Sequence, residues 1–337
     1  MAKDVRKLKF VIPKGSLEEG TMALLRQAGY KIAGEKRSYR PGINDAEIEL
    51  KILRPQEIPT MVAQNTHDLG ISGEDWVLES AAQVTKLMDL EYGHVRIILA
   101  VPEDWAQINS LSDLLRDCVA NNKPLRIFTE YLSTSAKYVQ KNETYQELFG
   151  DSDPEIITPW YKSGNNPWVK IILSFGATEA KPPEDAEAII DVIETGTTLT
   201  ANNLKIIEEV SQSNAYLLAN KEALKDPWKK EKIKDIMVLL KGVVEGREKL
   251  HIFMNIKNEN IECLLDRLPA LKRPTISPLA GIEGWSALNT IIPKDLLLKL
   301  IPDLRKYAQG IVILEPRQIL PFDLPEFNNI DSEGEDT

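Results

Sequence analysis

An α/β protein with a small α+β domain at its C-terminal end is what this chain predicts, on three observations. Strand-like apolar runs alternate with helical segments through roughly the first 220 residues, the order of βα-repeating folds. From His251 the order becomes strand, helix, proline-rich loop, strand, helix, strand, compact enough for a separate domain. Several early strands close on polar turns just where a helix begins. In an open α/β sheet such turns gather at the carboxyl edge, where crevices form.

Taken in order, "KLKFVI" is a strand, "PKG" a turn, and "SLEEGTMALL" opens a helix with Ser16 and Glu19 at capping-box spacing. Lys14 precedes that helix, where its ammonium can reach an anion. "DLGIS" is the next such strand, with Gly70 and Gly73 around Ser72 and Asp75 in the first turn of the following helix. "RIILAV" is a strand; "LRIFTE" is another, closed by Thr129, Glu130 and Tyr131, with Ser133 as the cap of the helix after it. "FGDSDPEIITPWYKSGNNPWVK" has many prolines, asparagines and tryptophans and no regular period, so it reads as an irregular excursion before the strand "KIILSFG". "AEAIIDVI" is a buried strand and "LTANNLKIIEEV" has the apolar spacing of a helix, which makes Glu194–Thr198 the turn between them. "KDPWKKEKIKDIMVLLKGVVEGREK" is a charged helix, and "DLPEFNNIDSEGEDT", with acids and no base, is expected to be a disordered tail.

Composition narrows the partners. With 337 residues the chain exceeds one ordinary core, so two or three domains are expected. Forty-one basic against fifty-one acidic residues give a net charge of −10, which disfavours sequence-independent binding to nucleic acid. Cys118 and Cys263 have no metal or disulfide spacing, and His67, His94 and His251 are scattered, so a reducing cytoplasm and no evident zinc site are expected. Neither a signal peptide nor a membrane span is read in the sequence.

The turn "ETGTTL" admits two readings. Its threonines can simply cap a helix, or its N–H groups and hydroxyls can converge on a phosphate at the positive end of that helix. Each of the other polar turns is open to the same choice. Several of them at one sheet edge, some cationic and some hydroxyl-rich, suit a substrate that carries phosphates.

The segments "IPKGSL", "LRPQEIPTMVAQNTHDLGISGEDWVLE", "TEY", "FGATE" and "DVIETGTTLTANNL" together resemble the ATP phosphoribosyltransferase family, the first enzymes of histidine biosynthesis. "IKNENIECLLDRLPALKRPTISPLAGIEGWSALNTIIPKDLLLKLIPDLRKYAQGIVIL" is similar to the regulatory domain of the family's long form, so the likeness runs from Leu8 to about Pro321. The resemblance implies a catalytic unit of two lobes like those of periplasmic binding proteins, followed by a ferredoxin-like domain. It implies lobe I over 1–98 and 221–245, returning near Asn220, lobe II over 99–220, a histidine-binding domain over 246–322, and a tail from 323 to 337. The implied reaction joins N1 of ATP to C1 of phosphoribosyl pyrophosphate, with Mg2+ as cofactor, histidine as feedback inhibitor, and homodimers assembling into a homohexamer.

Residue by residue, the resemblance gives the phosphoribosyl pyrophosphate loop to Asp191, Glu194, Thr195, Gly196, Thr197, Thr198 and Leu199, with Asp191 on the ribose hydroxyls. ATP falls to Lys14, Gly15, Ser16, Gly73, Asp75, Glu130, Tyr131 and Glu179, and the inhibitor to Leu271, Thr275 and Ser277. Lys14, Arg54 and Asp191 are the candidate catalytic groups; the alternative for Arg54 is a surface ion pair, and for Tyr131 a core position. No metal ligands are assigned. The chain departs from the family pattern in "LSTSAKY" after "TEY", in Glu194 where a small residue is expected, and in "PWYKSGNNPW", which reads as a lid if it borders the cleft. Prephenate dehydratase shares the architecture but needs no phosphate cradle, and a solute-binding module would need a signal peptide or a basic DNA-binding segment.

Overall fold

In the computed structural model the described residues are 6–34, 38–194, 196–268, 274–321 and 324–325. Thr195, Leu271 and nearly all of the acidic tail lie outside them. The chain divides into two compact units, one made of Lys9–Gly20 and Leu50–Leu224, the other of Met1–Leu8, Thr21–Glu49 and Lys225–Thr337.

The elements of the first half are β1 (Leu8–Pro13), α1 (Glu18–Gln27), the short pair β2 (Ile32–Ala33) and β3 (Gly42–Ile43), β4 (Ile48–Leu53), α2 (Ile58–Ala63), β5 (Leu69–Gly73), α3 (Glu74–Ser80), β6 (Thr85–Asp89) and β7 (Val95–Pro102). Then come α4 (Leu111–Ala120), β8 (Leu125–Thr129), α5 (Leu132–Gln140), α6 (Glu143–Phe149), β9 (Pro154–Ile157), β10 (Lys162–Ser163), β11 (Asn166–Leu173), β12 (Ala188–Ile193), α7 (Thr197–Ala201), β13 (Leu204–Ser213), β14 (Ala215–Ala219) and α8 (Lys221–Lys225). One five-stranded sheet has the order β4-β1-β5-β14-β6, and a seven-stranded sheet has the order β10-β9-β11-β8-β12-β7-β13.

These are the two lobes. The chain passes from the first sheet to the second just after Asp89 and returns at Asn214, where β13 runs into β14. The crossings fall earlier than expected: Val95–Ile98 pair in the second sheet, whereas Ala215–Ala219 pair with β5 and β6 in the first. A charged turn, "EYGH", hides the first crossing because the apolar run of β7 continues straight past Ile98. A second correction concerns "LTANNLKIIEEV". Only Thr197–Ala201 is helical; Leu204 onward is strand β13, antiparallel to β7, with register shifts between Ile206 and Glu208 and between Glu209 and Ser211. Two bulges shift the period-2 pattern out of phase, and the resulting spacing imitates a helix.

Caps and burial explain the local choices. Ser110 accepts the Asp113 N–H at 3.0 Å to start α4, and Asn142 accepts the Tyr145 N–H at 3.2 Å to start α6. α4 presents Leu111, Leu114, Leu115 and Cys118 to a core shared with Ile97, Leu99, Leu125, Ile127, Val169, Ala188 and Ile190. Ile98, Ala100, Ile189, Ile193, Leu199 and Leu204 form another cluster in the same lobe. The excursion at 154–173 is ordered: β9 and β10 are an antiparallel pair and β9 runs parallel to β11, so the segment extends the sheet edge.

In the other unit, α9 (Pro227–Arg247) begins at Asp226, whose carboxylate accepts the Lys229 N–H at 3.0 Å, with Pro at the first helical position. After it come β15 (Lys249–Lys257), α10 (Ile261–Leu265), β16 (Thr275–Pro278), β17 (Trp285–Pro293), α11 (Leu297–Tyr307) and β18 (Ala308–Leu314), in a sheet of order β16-β17-β15-β18. That is the ferredoxin-like topology. Leu250, Ile252, Met254 and Ile256 of β15 pack with Leu264, Leu300 and Leu304 of the two helices, leaving His251 and Phe253 on the open face. The following segment lies along α9, where the Ile319 N–H reaches the Gly242 carbonyl at 2.8 Å and a Cβ on Gly242 would come within 2.7 Å of Leu320. Arg317 then caps α1, donating to the Gln27 and Arg26 carbonyls at 2.8 and 2.9 Å.

Candidate active site

A cavity of about 250 Å³ opens between elements of the two lobes, lined by Ser16, Leu17, Pro55, Gln56, Gly73, Asp75, Trp76, Gly93, Val95, Glu130, Tyr131, Val192, Ile193 and Glu194. Of the expected residues, Ser16, Gly73, Asp75, Glu130, Tyr131 and Glu194 stand on its wall. Lys14, Gly15, Arg54, Glu179, Asp191, Gly196, Thr197 and Thr198 do not line it; Asp191 lies in β12, two residues before the lining pair Ile193 and Glu194, and Thr197 and Thr198 open α7.

The most ordered part of the wall is built on α3. Asp75 is buried, and both of its carboxylate oxygens are occupied: Ser213 Oγ donates to Oδ1 at 2.8 Å and the Tyr131 hydroxyl donates to Oδ2 at 2.7 Å. The Asp75 N–H returns to Ser213 Oγ at 3.0 Å. Burial and the Asp75 carboxylate push the Tyr131 phenol above its usual range, so it remains a donor. Trp76 stacks on the Tyr131 ring, centroids 4.6 Å apart at 24°. One turn on, Glu79 receives the Ser133 and Thr134 N–H groups, each at 2.8 Å, and so caps α5. Ser133 was expected to do this; the carboxylate of a neighbouring helix does it instead. Asp75 likewise ties α3 to Tyr131 and Ser213 of the other lobe. Tyr131 is buried and also lines the cavity.

Next to the lining residue Ser16, Gly15 has φ +89°, a conformation that favours glycine, and its N–H meets the Glu18 carboxylate at 3.3 Å. The capping interaction therefore pairs the Gly15 N–H with Glu18, and Ser16 lines the cavity. A Cβ on Gly15 would stand 3.4 Å from the Arg54 guanidinium, which forms no ion pair among the described residues.

The acidic side is formed by Glu130, Glu179 and Asp191. Burial raises the Glu130 carboxyl above the usual range, offset in part by the Gly176 N–H. Asp191 is pushed up to about 6, first by burial and then by Glu179 and Glu130, although the Val192 N–H, at 2.7 Å, and Thr178 both favour its charged form. Beyond Glu194, Gly196 sits at the N-terminus of α7 with φ +79°. Leu199, expected on the phosphoribosyl loop, turns its side chain into the core with Ile98 and Ile189 and can offer a ligand only its backbone. In the C-terminal sheet, Thr275 and Ser277 are exposed on β16, opposite Asn289 and Ala287. Sequence reasoning missed Gln56, Trp76, Glu79 and Ser213. Trp76 adjoins Asp75 and was within reach of it, but nothing local marks Ser213, 138 residues downstream of Asp75.

Comparison with known proteins decides what this cavity belongs to. A family model described as ATP phosphoribosyltransferase matches residues 54–242, and one described as the HisG C-terminal domain matches residues 246–316. The chain belongs to the ATP phosphoribosyltransferase family. It is 37% identical over 315 residues to the ATP phosphoribosyltransferase of Pelotomaculum thermopropionicum, spanning 92% of this chain and 98% of that one. To the Solibacter usitatus ATP phosphoribosyltransferase it is 39% identical over 311 residues, 90% of this chain and 96% of the relative. A solved ATP phosphoribosyl transferase (HisG:HisZ) complex from Thermotoga maritima matches with TM-score 0.53 and 25% identity, over 71% of this chain and 98% of that one. The protein is accordingly a transferase of histidine biosynthesis, with the two-lobed catalytic fold and the C-terminal α+β domain of its family. Among the described residues, no helix is long and apolar enough to cross a membrane.

Proposed function

We propose that this ATP phosphoribosyltransferase joins N1 of ATP to C1 of phosphoribosyl pyrophosphate, forming N1-(5-phosphoribosyl)-ATP and pyrophosphate in the cavity described. The observation that carries the reading is one cavity that shares an aromatic surface, Trp76 on Tyr131, with Ile193 and Glu194, the residues that precede the Gly196 turn in sequence. The base packs on the aromatic side and the phosphoribosyl group on the turn. Gly196, Thr197 and Thr198, with Thr195 beyond the described residues, hold the 5-phosphate, and Asp191 accepts the ribose hydroxyls. Lys14 and Arg54 face the polyphosphates.

In the reaction the N1 lone pair forms the new C–N bond as the C1–O bond breaks, and the electron pair leaves on pyrophosphate. The enzyme's task is positioning and charge. Alkylated N1 makes the 6-amino group acidic, and Glu130, whose carboxyl is held above the usual range, takes that proton. Among the described residues no three acids, histidines or cysteines are grouped to hold a metal alone. Mg2+ would be held mainly by substrate phosphates, with the Glu179 carboxylate as the protein group that could add an oxygen. When bound, the ion offsets charge on the leaving pyrophosphate. Purified protein given both substrates, Mg2+ and pyrophosphatase should accumulate a phosphoribosylated ATP with new near-ultraviolet absorbance. Folded protein that makes none would refute the reading.

The C-terminal domain adds no group to this chemistry, and histidine inhibition is the role we infer for it. Thr275 and Ser277 offer two neighbouring hydroxyls on the open sheet face near His251 and Asn289, suited to a small zwitterion. Phe253, Val312 and Leu314, exposed on the same sheet, support packing against another subunit and the dimer-to-hexamer assembly of the long form. Histidine works by favouring the less active conformation, so a coupling of about 1–3 kcal/mol gives about 5- to 150-fold inhibition at saturation. Titration of the full chain should show it, and Thr275→Val with Ser277→Ala should raise the inhibition constant about tenfold at unchanged activity. An uninhibited parent enzyme would exclude this role.

A further inference from the structure

The polar groups of the cavity are unequally available. Asp75 and Tyr131 are committed to each other and to Ser213, while Glu130 and Glu194, when ionised, can only accept hydrogen bonds. Ser16 sits beside the Gly15 turn, on the Lys14 and Arg54 side. That leaves Gln56, a carboxamide on the wall with no hydrogen-bond partner among the described residues. Its backbone is well anchored. The preceding Pro55 carbonyl accepts the buried Ser72 hydroxyl at 2.7 Å, and Glu57 closes a turn back to the Arg54 carbonyl at 3.1 Å.

We propose that Gln56 is the residue that reads the purine, by pairing with N7 and the 6-amino group of adenine. The proposal rests on the reading that ATP reacts through N1. A base attacked along its Watson–Crick edge cannot be recognised there, because the sugar carbon must approach N1 in the ring plane. Recognition falls to the other edge, where adenine shows an acceptor, N7, beside a donor, the outer N6 hydrogen. A carboxamide meets that pair with one N–H and one C=O, the bidentate match by which Gln reads adenine elsewhere. A 6-oxo purine shows two acceptors on this edge, so the amide can satisfy only one of them. The stacked Trp76 and Tyr131 grip the ring without distinguishing purines. Gln56 therefore supplies the choice between them.

The test uses 7-deaza-ATP, which keeps N1 and the amino group but has carbon at position 7. Initial rates with saturating phosphoribosyl pyrophosphate and Mg2+ give kcat/KM for ATP and for the analogue in the parent, in Gln56→Leu and in Gln56→Glu. The analogue's altered N1 basicity is common to all three enzymes and cancels in the comparison. The parent is expected to prefer ATP by about 5- to 100-fold. That preference should fall in both variants to the ratio set by the analogue's own reactivity, with KM for phosphoribosyl pyrophosphate unchanged. A parent that does not distinguish the two nucleotides, or a Gln56→Leu enzyme that distinguishes them as the parent does, overturns the assignment. Calorimetric binding of ATP and 7-deaza-ATP to the parent and to Gln56→Leu, without the second substrate, gives the same ratio independently of turnover. A protein that forms no phosphoribosyl-ATP would refute the proposed reaction, while this binding ratio would still decide the role of Gln56.

Discussion

Asp191→Asn is expected to yield an enzyme that is far less active and yet more stable. The loss follows from the proposed contact to the ribose hydroxyls: one charge-assisted hydrogen bond is worth roughly 1.5–3 kcal/mol, or tens-fold to about a hundred-fold in kcat/KM. The gain follows from electrostatics. Asp191 titrates near 6 in the folded protein, against 3.8 ordinarily, because burial, Glu179 and Glu130 all oppose its charge. The folded state thus binds a proton more tightly than the unfolded state does. The stability from this group is fully present below pH 3.8 and is lost as pH rises through about 6. An asparagine avoids that loss. At pH 8 the metal-free variant should be more stable than the parent by about 1–2 kcal/mol, allowing for partial exposure, and at pH 4 the two should nearly coincide. Denaturation of both proteins in chelator at pH 4, 6 and 8 measures it. A variant destabilised at pH 8, or one with parental kinetics, would contradict this account of Asp191.

Gly73→Ala should be the other large effect, for a steric reason. The backbone at Gly73 has an ordinary φ of −68°, so conformation does not demand glycine. Space does: an added Cβ would lie 2.0 Å from Asp75 Oδ1. A surface carboxylate would swing aside at little cost, but this one is buried and fixed by Ser213 and Tyr131. Displacing it breaks two hydrogen bonds to a charge and disturbs the Trp76–Tyr131 stack, at about 2–4 kcal/mol. Melting temperature, Trp76 emission and kcat/KM for ATP should all fall together. Adding Asp75→Ala should cost less in the Gly73→Ala background than in the parent, because the same contacts are already lost. Additive losses would mean that the methyl group acts elsewhere.

Much of this was legible in the sequence because it was local. The strand-turn-helix junctions at Lys14, Asp75, Glu130 and Gly196 follow from apolar period and turn residues within a dozen positions, and those turns do surround one cavity. What stayed hidden was non-local or two-sided. That Asp75 is spent on Ser213, and that Glu79 caps a helix in the other lobe, depend on pairings between distant segments. Leu199, read from the sequence as a loop position, packs in the core, and period alone cannot separate these. Strand β13 was mistaken for helix because its bulges shift the alternation. Gln56 has no motif; it becomes visible only when Asp75 and Tyr131 on the same wall are seen to be bonded to each other and to Ser213.

The position of β14 bears on how the chain is made. It lies between β5 and β6 in the first sheet, antiparallel to both, yet about 125 residues separate it from β6. At 5–20 residues per second, a ribosome takes roughly 6–25 s to deliver it. Every strand of the second sheet emerges in that interval, from β7 through β13. The later lobe can therefore fold as one continuous piece while the earlier lobe waits, with the buried edge at Leu69 and Ile71 unpaired. Nascent chains stalled before Ala215 should consequently be the ones that engage chaperones, and release of the next few residues is what closes the first lobe.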